Sequence, residues 1–284
     1  MKRVFLGFLL AGLLIATNSY MVPEISRYRK IQKANAGLFL LSPEAEKIMS
    51  LDYEGIRSFW VTLDLRVFLA TILEQHPYFP EWVGDVVFKA YRVASALNPY
   101  YFDIYYIASL NLMWDFKRYS DAEKVLKRAI KYRKSDWFWY FLLSFNYFYF
   151  MKKYDLAAEY MTEAAKLKRS AFLASLASRL YYASGRTEIA LNILDGQIKN
   201  TDDENWKREL LKRKKALLGV LKIERAVEAF KRKEGRLPYD LNELKQKGYM
   251  KKIPQDPYGG RFYIDSDGTV KSTSNLVEHH RKNE

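Results

Sequence analysis

The sequence predicts a mainly α chain: an α-solenoid of helix pairs followed by a small α+β hairpin module. Three observations lead there. A block with a small residue at a fixed place recurs about every 34 residues through the middle of the chain. Apolar and aromatic residues between the blocks keep helical spacing. From residue 201 the texture changes to a long charged run, then to turn signals and a short alternating stretch.

The recurring block reads Arg118-Tyr119-Ser120-Asp121-Ala122, then Lys153-Tyr154-Asp155-Leu156-Ala157, then Arg186-Thr187-Glu188-Ile189-Ala190, with alanines 35 and 33 positions apart. A small side chain there lets two helices approach closely. Ala129 and Ala164 repeat the small position seven residues on, and Gln197 breaks it in the last unit. Tyr106, Phe141 and Ala174 take one recurring place in the preceding helices, Met113, Phe148 and Tyr181 another, and Gly185 sits in the last tight turn. An earlier unit closes on Ala94-Ser95-Ala96-Leu97-Asn98-Pro99, but Pro77 and Pro80 make it irregular. One such pair cannot bury its apolar stripe alone, whereas stacked pairs share a continuous core.

These residues, spanning 58–200, resemble the tetratricopeptide repeat, although the Trp-Leu-Gly start of that consensus is missing. The resemblance implies a curved stack with a hollow side, lined by the ninth residue of each first helix: Asn111, Asn146 and Arg179. In that family an Asn at this place often bonds a peptide backbone, because an amide both donates and accepts. Trp114, Trp139, Tyr149, Phe150, Phe172 and Tyr182 are expected beside them. Trp137 to Met151 has the apolarity of a membrane span, but at fifteen residues with Ser144 and Asn146 inside it reads as a repeat helix buried on two sides.

The tail, 201–276, begins with a charged helix from about Asp203 to Lys233 that ends at Gly235. Asp240 is placed to cap a short helix that Gly248 stops, and Gly259-Gly260 mark a turn. Phe262 and Ile264 alternate with Tyr263 and Asp265, and Ser266-Asp267-Gly268 turns the chain back through Thr269, Val270 and Lys271. Gly235, Leu237, Pro238, Leu244, Pro254, Asp256, Pro257, Tyr258 and Gly259 follow the order found in the C-terminal part of type II secretion pseudopilins, which residues 223–273 resemble. Here the repeats precede the helix, so pilus assembly does not follow. The whole arrangement is similar to a group of uncharacterised bacterial envelope proteins. Some pseudopilins bind calcium near this loop; Asp256, Asp265 and Asp267 are the oxygen donors available for it.

At the other end, Lys2 and Arg3 precede the uncharged run Val4 to Ala16. Residues 1–22 read as a signal anchor or signal peptide, the uncleaved anchor being preferred because no clear cleavage site follows. Residues 23–57 read as a helical linker, and 277–284 as a disordered tail. Lys2 and Arg3 hold the start in the cytoplasm, while Arg27, Arg29, Lys30 and Lys33 pull the other way. The pseudopilin resemblance decides for a single-pass inner-membrane protein with its body in the periplasm or outside.

Lys and Arg number 47 against 33 Asp and Glu, a net charge of +14 spread along the chain, which favours anionic partners. With no cysteine, disulfides, thiolate metal sites and cysteine nucleophiles are excluded. No Gly-rich phosphate loop or nucleophile elbow is present, and the three histidines, His76, His279 and His280, sit in a proline loop and a charged tail. The expectation is therefore a non-enzyme without cofactor or metal. It is an envelope-anchored scaffold or adaptor holding a protein or peptide in the groove of its repeats, for a secretion, pilus or surface-polymer system. The alternative is a charge-driven binder of anionic lipid or envelope polysaccharide. Nucleic acid is the least expected partner.

Overall fold

The computed structural model describes residues 40–276. The N-terminal anchor, the linker up to residue 39 and the tail 277–284 lie outside the described residues. The chain is mainly helical, and it divides into two compact units after Arg133. The break falls inside the block 58–200, so the two units are taken in turn.

The first unit contains α1 (Pro43–Ser50), α2 (Glu54–Gln75), α3 (Glu81–Leu97), α4 (Phe102–Trp114) and α5 (Tyr119–Tyr132). Ser42 caps α1, its hydroxyl accepting from the Ala45 amide at 3.2 Å, with Pro43 in the first turn where no amide is needed. Glu46 is buried and held by both arms of Arg57, at 2.7 and 2.9 Å. That guanidinium keeps the Glu46 carboxyl below its usual range. Helix α2 ends at Gln75 and α3 begins only after Pro80, as the two prolines require. The helices then meet through Val61, Leu65, Val83, Val87 and Ala90, all fully buried, and the Ser58 hydroxyl donates to the Ala94 carbonyl at 2.8 Å. In the next pair Ile104, Tyr105, Ala108 and Leu112 of α4 are buried with Ala122, Val125, Leu126 and Ala129 of α5.

The second unit contains α6 (Trp137–Phe145), a π-helical turn (Asn146–Phe150), α7 (Tyr154–Lys168), α8 (Ala171–Ala183), α9 (Thr187–Lys199), α10 (Glu204–Glu234) and α11 (Leu241–Gln246). Two short strands come after it, β1 (Phe262–Ile264) and β2 (Val270–Ser272), paired antiparallel. The run 137–151 is thus a short helix broken by a wide turn. Among the described residues no helix is long and apolar enough to cross a membrane.

The pairs are closed in the same way. Ser144 of α6 donates to the Ala157 carbonyl of α7 at 2.6 Å, and 34 residues later Ser178 of α8 donates to Ala190 of α9 at 3.2 Å. Ala122, Ala157 and Ala190 have no exposed surface. Each pair turns through a left-handed residue, Lys117 (φ 54°), Lys152 (φ 55°) and Gly185 (φ 76°), spaced like the alanines. The next amide, of Arg118, Lys153 or Arg186, reaches back to the carbonyl of Leu112, Tyr147 or Tyr181 at 2.7 to 2.9 Å, which satisfies a helix-end acceptor.

Helix α10 lies along α9, tied by Thr187 donating to Glu224 at 2.8 Å and by ion pairs Arg225–Glu188 and Lys214–Asp195. Asp203 caps its start and Gly235, at φ 72°, its end. Asp240 caps α11 by accepting from the Glu243 amide at 2.8 Å. The last segment packs on α10 where Gly219 leaves room: a Cβ there would sit 3.1 Å from Pro254 and 3.2 Å from Phe262.

Candidate binding surfaces

The residues expected to line a hollow do not share one environment. In the first unit Asn111 is half-buried near the end of α4, its amide donating to Asp115 at 2.7 Å, and Trp114 is exposed one turn on. In the second unit Trp139 and Asn146 are both 0% exposed, which corrects their assignment to a partner-facing surface. The Trp139 indole donates back to Asp136 at 3.1 Å, which fixes the ring at the base of α6, inside the core. The Asn146 amide points to the Met151 sulfur at 3.7 Å, under the wide turn.

That turn places its neighbours differently. Asn146 and Tyr147 are buried while Phe148 and Tyr149 emerge, Tyr149 to 47%. The Tyr149 ring stacks on Phe145 at 5.3 Å and 11° and meets Phe150 edge-on at 4.9 Å. Lys152 sits 5.4 Å above it. π-turns inside helices are frequent at functional sites, because one extra residue changes which side chains reach the surface. The result is an aromatic step, fixed by its neighbours and partly exposed at Tyr149.

Arg179 and Tyr182 sit one turn apart on α8. Arg179 is exposed. Tyr182 is half-buried, and its hydroxyl donates to the Val270 carbonyl of β2 at 3.2 Å. Burial pushes its phenol up to about 12. The tail segment therefore occupies the place where Tyr182 was expected to meet a partner. Arg213 of α10 lies beside it, only 5% exposed, with one arm donating to the Leu276 carbonyl at 3.3 Å and its Nε hydrogen unpartnered. Burial pushes its guanidinium down to about 10, and the Arg179 charge acts in the same direction.

The centre of the tail is a buried carboxylate. Asp256 accepts from the Ser272 and Ser274 hydroxyls, each at 2.5 Å, and from the Tyr258 amide at 2.8 Å. Gly260 is required against it, since a Cβ would fall 2.7 Å from the Asp256 oxygen and from the Ser274 nitrogen. Asp265 is held by the Lys271 ammonium, which keeps its carboxyl below the usual range. Asp267 accepts from the Thr269 hydroxyl at 2.6 Å. The three aspartates considered for calcium thus serve three separate local contacts. Among the described residues no group of three acidic or histidine side chains gathers to hold a metal ion.

Three of the open clefts of the second unit lie near these residues. One of about 450 Å³ is bounded by Ala165, Ala171, Ala174 and Gly196 with Gln197 at its base, the Gln197 amide donating to the Ala171 carbonyl. A second of about 450 Å³ carries Lys215, Lys222 and Lys252 over Leu218 and Pro257. The third, about 680 Å³, opens between residues 253–256 and β1. The sequence does not announce either cleft of the tail, because each depends on segments far apart in the chain. A scan of protein-family models finds no match to this chain, and comparison with curated protein sequences finds no significant relative.

Proposed function

We propose that the chain is an envelope-anchored scaffold or adaptor, built of tetratricopeptide-like helix pairs, that binds a protein or peptide partner through its repeats. The N-terminal segment holds it in the inner membrane with the body in the periplasm or outside. The observation that carries the binding role is the aromatic step at the π-turn. Phe145 and Phe150 fix Tyr149 from two sides and Lys152 lies over its ring, yet 47% of the residue remains exposed to solvent. An aromatic ring held rigidly loses little entropy on binding, and such residues dominate protein interfaces. The recurring left-handed closing residue and the serine-to-alanine bonds of the last two pairs support the repeat reading.

The test places a photoreactive phenylalanine analogue at Tyr149 in the full-length protein in its own membrane, with Glu228, exposed on α10, as the control site. Irradiation should give a discrete adduct from position 149 alone. The adduct should persist in about 1 M salt, where charge is screened beyond about 3 Å. Equal adducts from both sites, none from 149, or collapse in salt would each defeat the assignment.

A further inference from the structure

Strand β1 is paired on one side only. Its register with β2 is Phe262 to Ser272, Tyr263 to Lys271 and Ile264 to Val270. The Thr273 amide donates to the Arg261 carbonyl at 3.0 Å and the Asp265 amide to the Thr269 carbonyl at 2.8 Å, bracketing the ladder. The residues that exchange bonds with β2 are therefore Arg261, Tyr263 and Asp265. In an antiparallel pair the alternate residues turn their N–H and C=O groups the other way. Those residues are Phe262 and Ile264, and among the described residues their outward groups have no hydrogen-bond partner. The outer edge of β2 differs, because Tyr182 covers it at the Val270 carbonyl.

Facing the open edge is the run Ile253–Gln255. It joins β1 through the turn that Gly259 closes by donating to the Asp256 carbonyl at 3.1 Å. Ile253 and Gln255 also make no backbone hydrogen bond within the described residues, and Pro254 has no amide to offer. The cleft of about 680 Å³ lies between these two runs, with Leu241 in its wall and Tyr239 and Tyr263 exposed at its rim. Unsatisfied backbone groups at a strand edge are a ready template for another strand.

Charge selects the occupant. Asp256 is occupied by its two serines, and Asp240 by the cap of α11. The remaining charged side chain of the cleft is Arg261, and Lys215, Lys222 and Lys252 flank the far side of the 253–256 run. Among the described residues no ion pair uses any of these four. A second copy of this chain brings a net charge of +14 to the same place and is repelled.

We propose that a short acidic segment of a partner protein, in extended form, adds as a third strand along the open edge of β1. Its backbone takes the outward groups of Phe262 and Ile264, a carboxylate reaches Arg261, and the three lysines beyond the 253–256 run add only to the positive field around the cleft. This site is separate from the aromatic step on α6 and stands or falls independently of it.

The test uses the full-length protein and a fluorescent, end-blocked hexapeptide of alternating glutamate and valine. Binding is followed by polarisation, and hydrogen exchange is followed at the Phe262 and Ile264 amides. Saturable binding with slowed exchange at both amides is expected. The same peptide N-methylated on the pairing edge keeps its charge but loses its donors, so it should bind about tenfold or more weaker. A lysine–valine peptide should not bind, and Arg261→Glu should weaken the acidic one. Equal binding of methylated and unmethylated peptides would reduce the site to diffuse charge and overturn the proposal. Binding of the lysine peptide as well as the acidic one, no saturation at all, or saturation without slowed exchange at the two amides would also overturn it.

Discussion

The left-handed turn that closes each helix pair offers a quantitative test, because nature has filled it with lysine twice and glycine once. Gly185 sits at φ 76° with no atom within 4 Å of the place a Cβ would take, so Gly185→Ala adds no clash. It adds only the left-handed penalty of an L-residue, about 1 to 2 kcal/mol. The stiffer unfolded chain returns about 0.4 to 1 kcal/mol, leaving a net loss of about 0.75 kcal/mol. Lys117→Gly runs the same balance backwards at φ 54° and should gain about 0.5 to 1 kcal/mol. Lys152→Gly gains as much but loses the ammonium over Tyr149, 5.4 Å from the ring, at a cost of about 0.5 kcal/mol, and should be nearly neutral. Urea unfolding followed by far-ultraviolet circular dichroism reads the order directly. With a slope of about 2 kcal/mol per molar, the outer two variants should move the midpoint by roughly 0.4 M in opposite directions. A Gly185→Ala protein as stable as the parent, or a destabilised Lys117→Gly, would refute the reasoning that a left-handed residue closes all three pairs.

Three further outcomes are expected from buried groups of the second unit. Burial raises the Glu224 carboxyl above its usual range, so the fold favours its protonated form; that contribution is present in acid and lost as pH rises through the raised value. Glu224→Gln should therefore melt higher than the parent at neutral pH, with the difference shrinking toward pH 4 in a series of thermal melts. Gly260→Ala forces a methyl against Asp256 and the Ser274 amide and should cost about 2 to 3 kcal/mol in urea unfolding. Arg213→Met removes a buried cation whose neighbours include a second arginine, two phenols and a carbonyl, and should stabilise by about 1 kcal/mol in the same assay.

The helical framework is legible in the sequence where sterics leave few choices. Ala122, Ala157 and Ala190 are fully buried because two helix backbones pass there and only a methyl fits. Pro77 and Pro80 mark the gap between α2 and α3 because neither residue can continue a helix. Gly235 marks the end of α10 for the complementary reason, a left-handed backbone. Lys117 and Lys152 do the same work as Gly185 without announcing it, since lysine carries no turn signal. The division after Arg133 is also silent: Arg133-Lys134-Ser135-Asp136 has neither glycine nor proline to punctuate it.

The partner-facing residues are less legible, and the π-turn shows why. Counting nine residues from each repeat start assumes that every turn holds the α-helical number of residues. Between Asn146 and Phe150 the carbonyls are met one residue later, as when the Met151 amide reaches Asn146 at 3.1 Å. One added residue rotates the next side chains by about 100°, the angle one residue subtends on a helix. Phe148 and Tyr149 therefore reach the surface while Asn146, at the head of the turn, stays under Met151. The strand edge has a similar origin. Alternation of Phe262 and Ile264 with Tyr263 gives the strand but not the side on which it pairs, since N–H and C=O directions leave no trace in side-chain chemistry. Only the observed register with β2 assigns the outward groups to Phe262 and Ile264. A one-residue slip would hand that role to Tyr263 and aim its amide into the cleft. Amide exchange in the free protein distinguishes the registers: Phe262 and Ile264 should exchange fast and Tyr263 slowly, and the reverse order would place the open edge on the wrong residues.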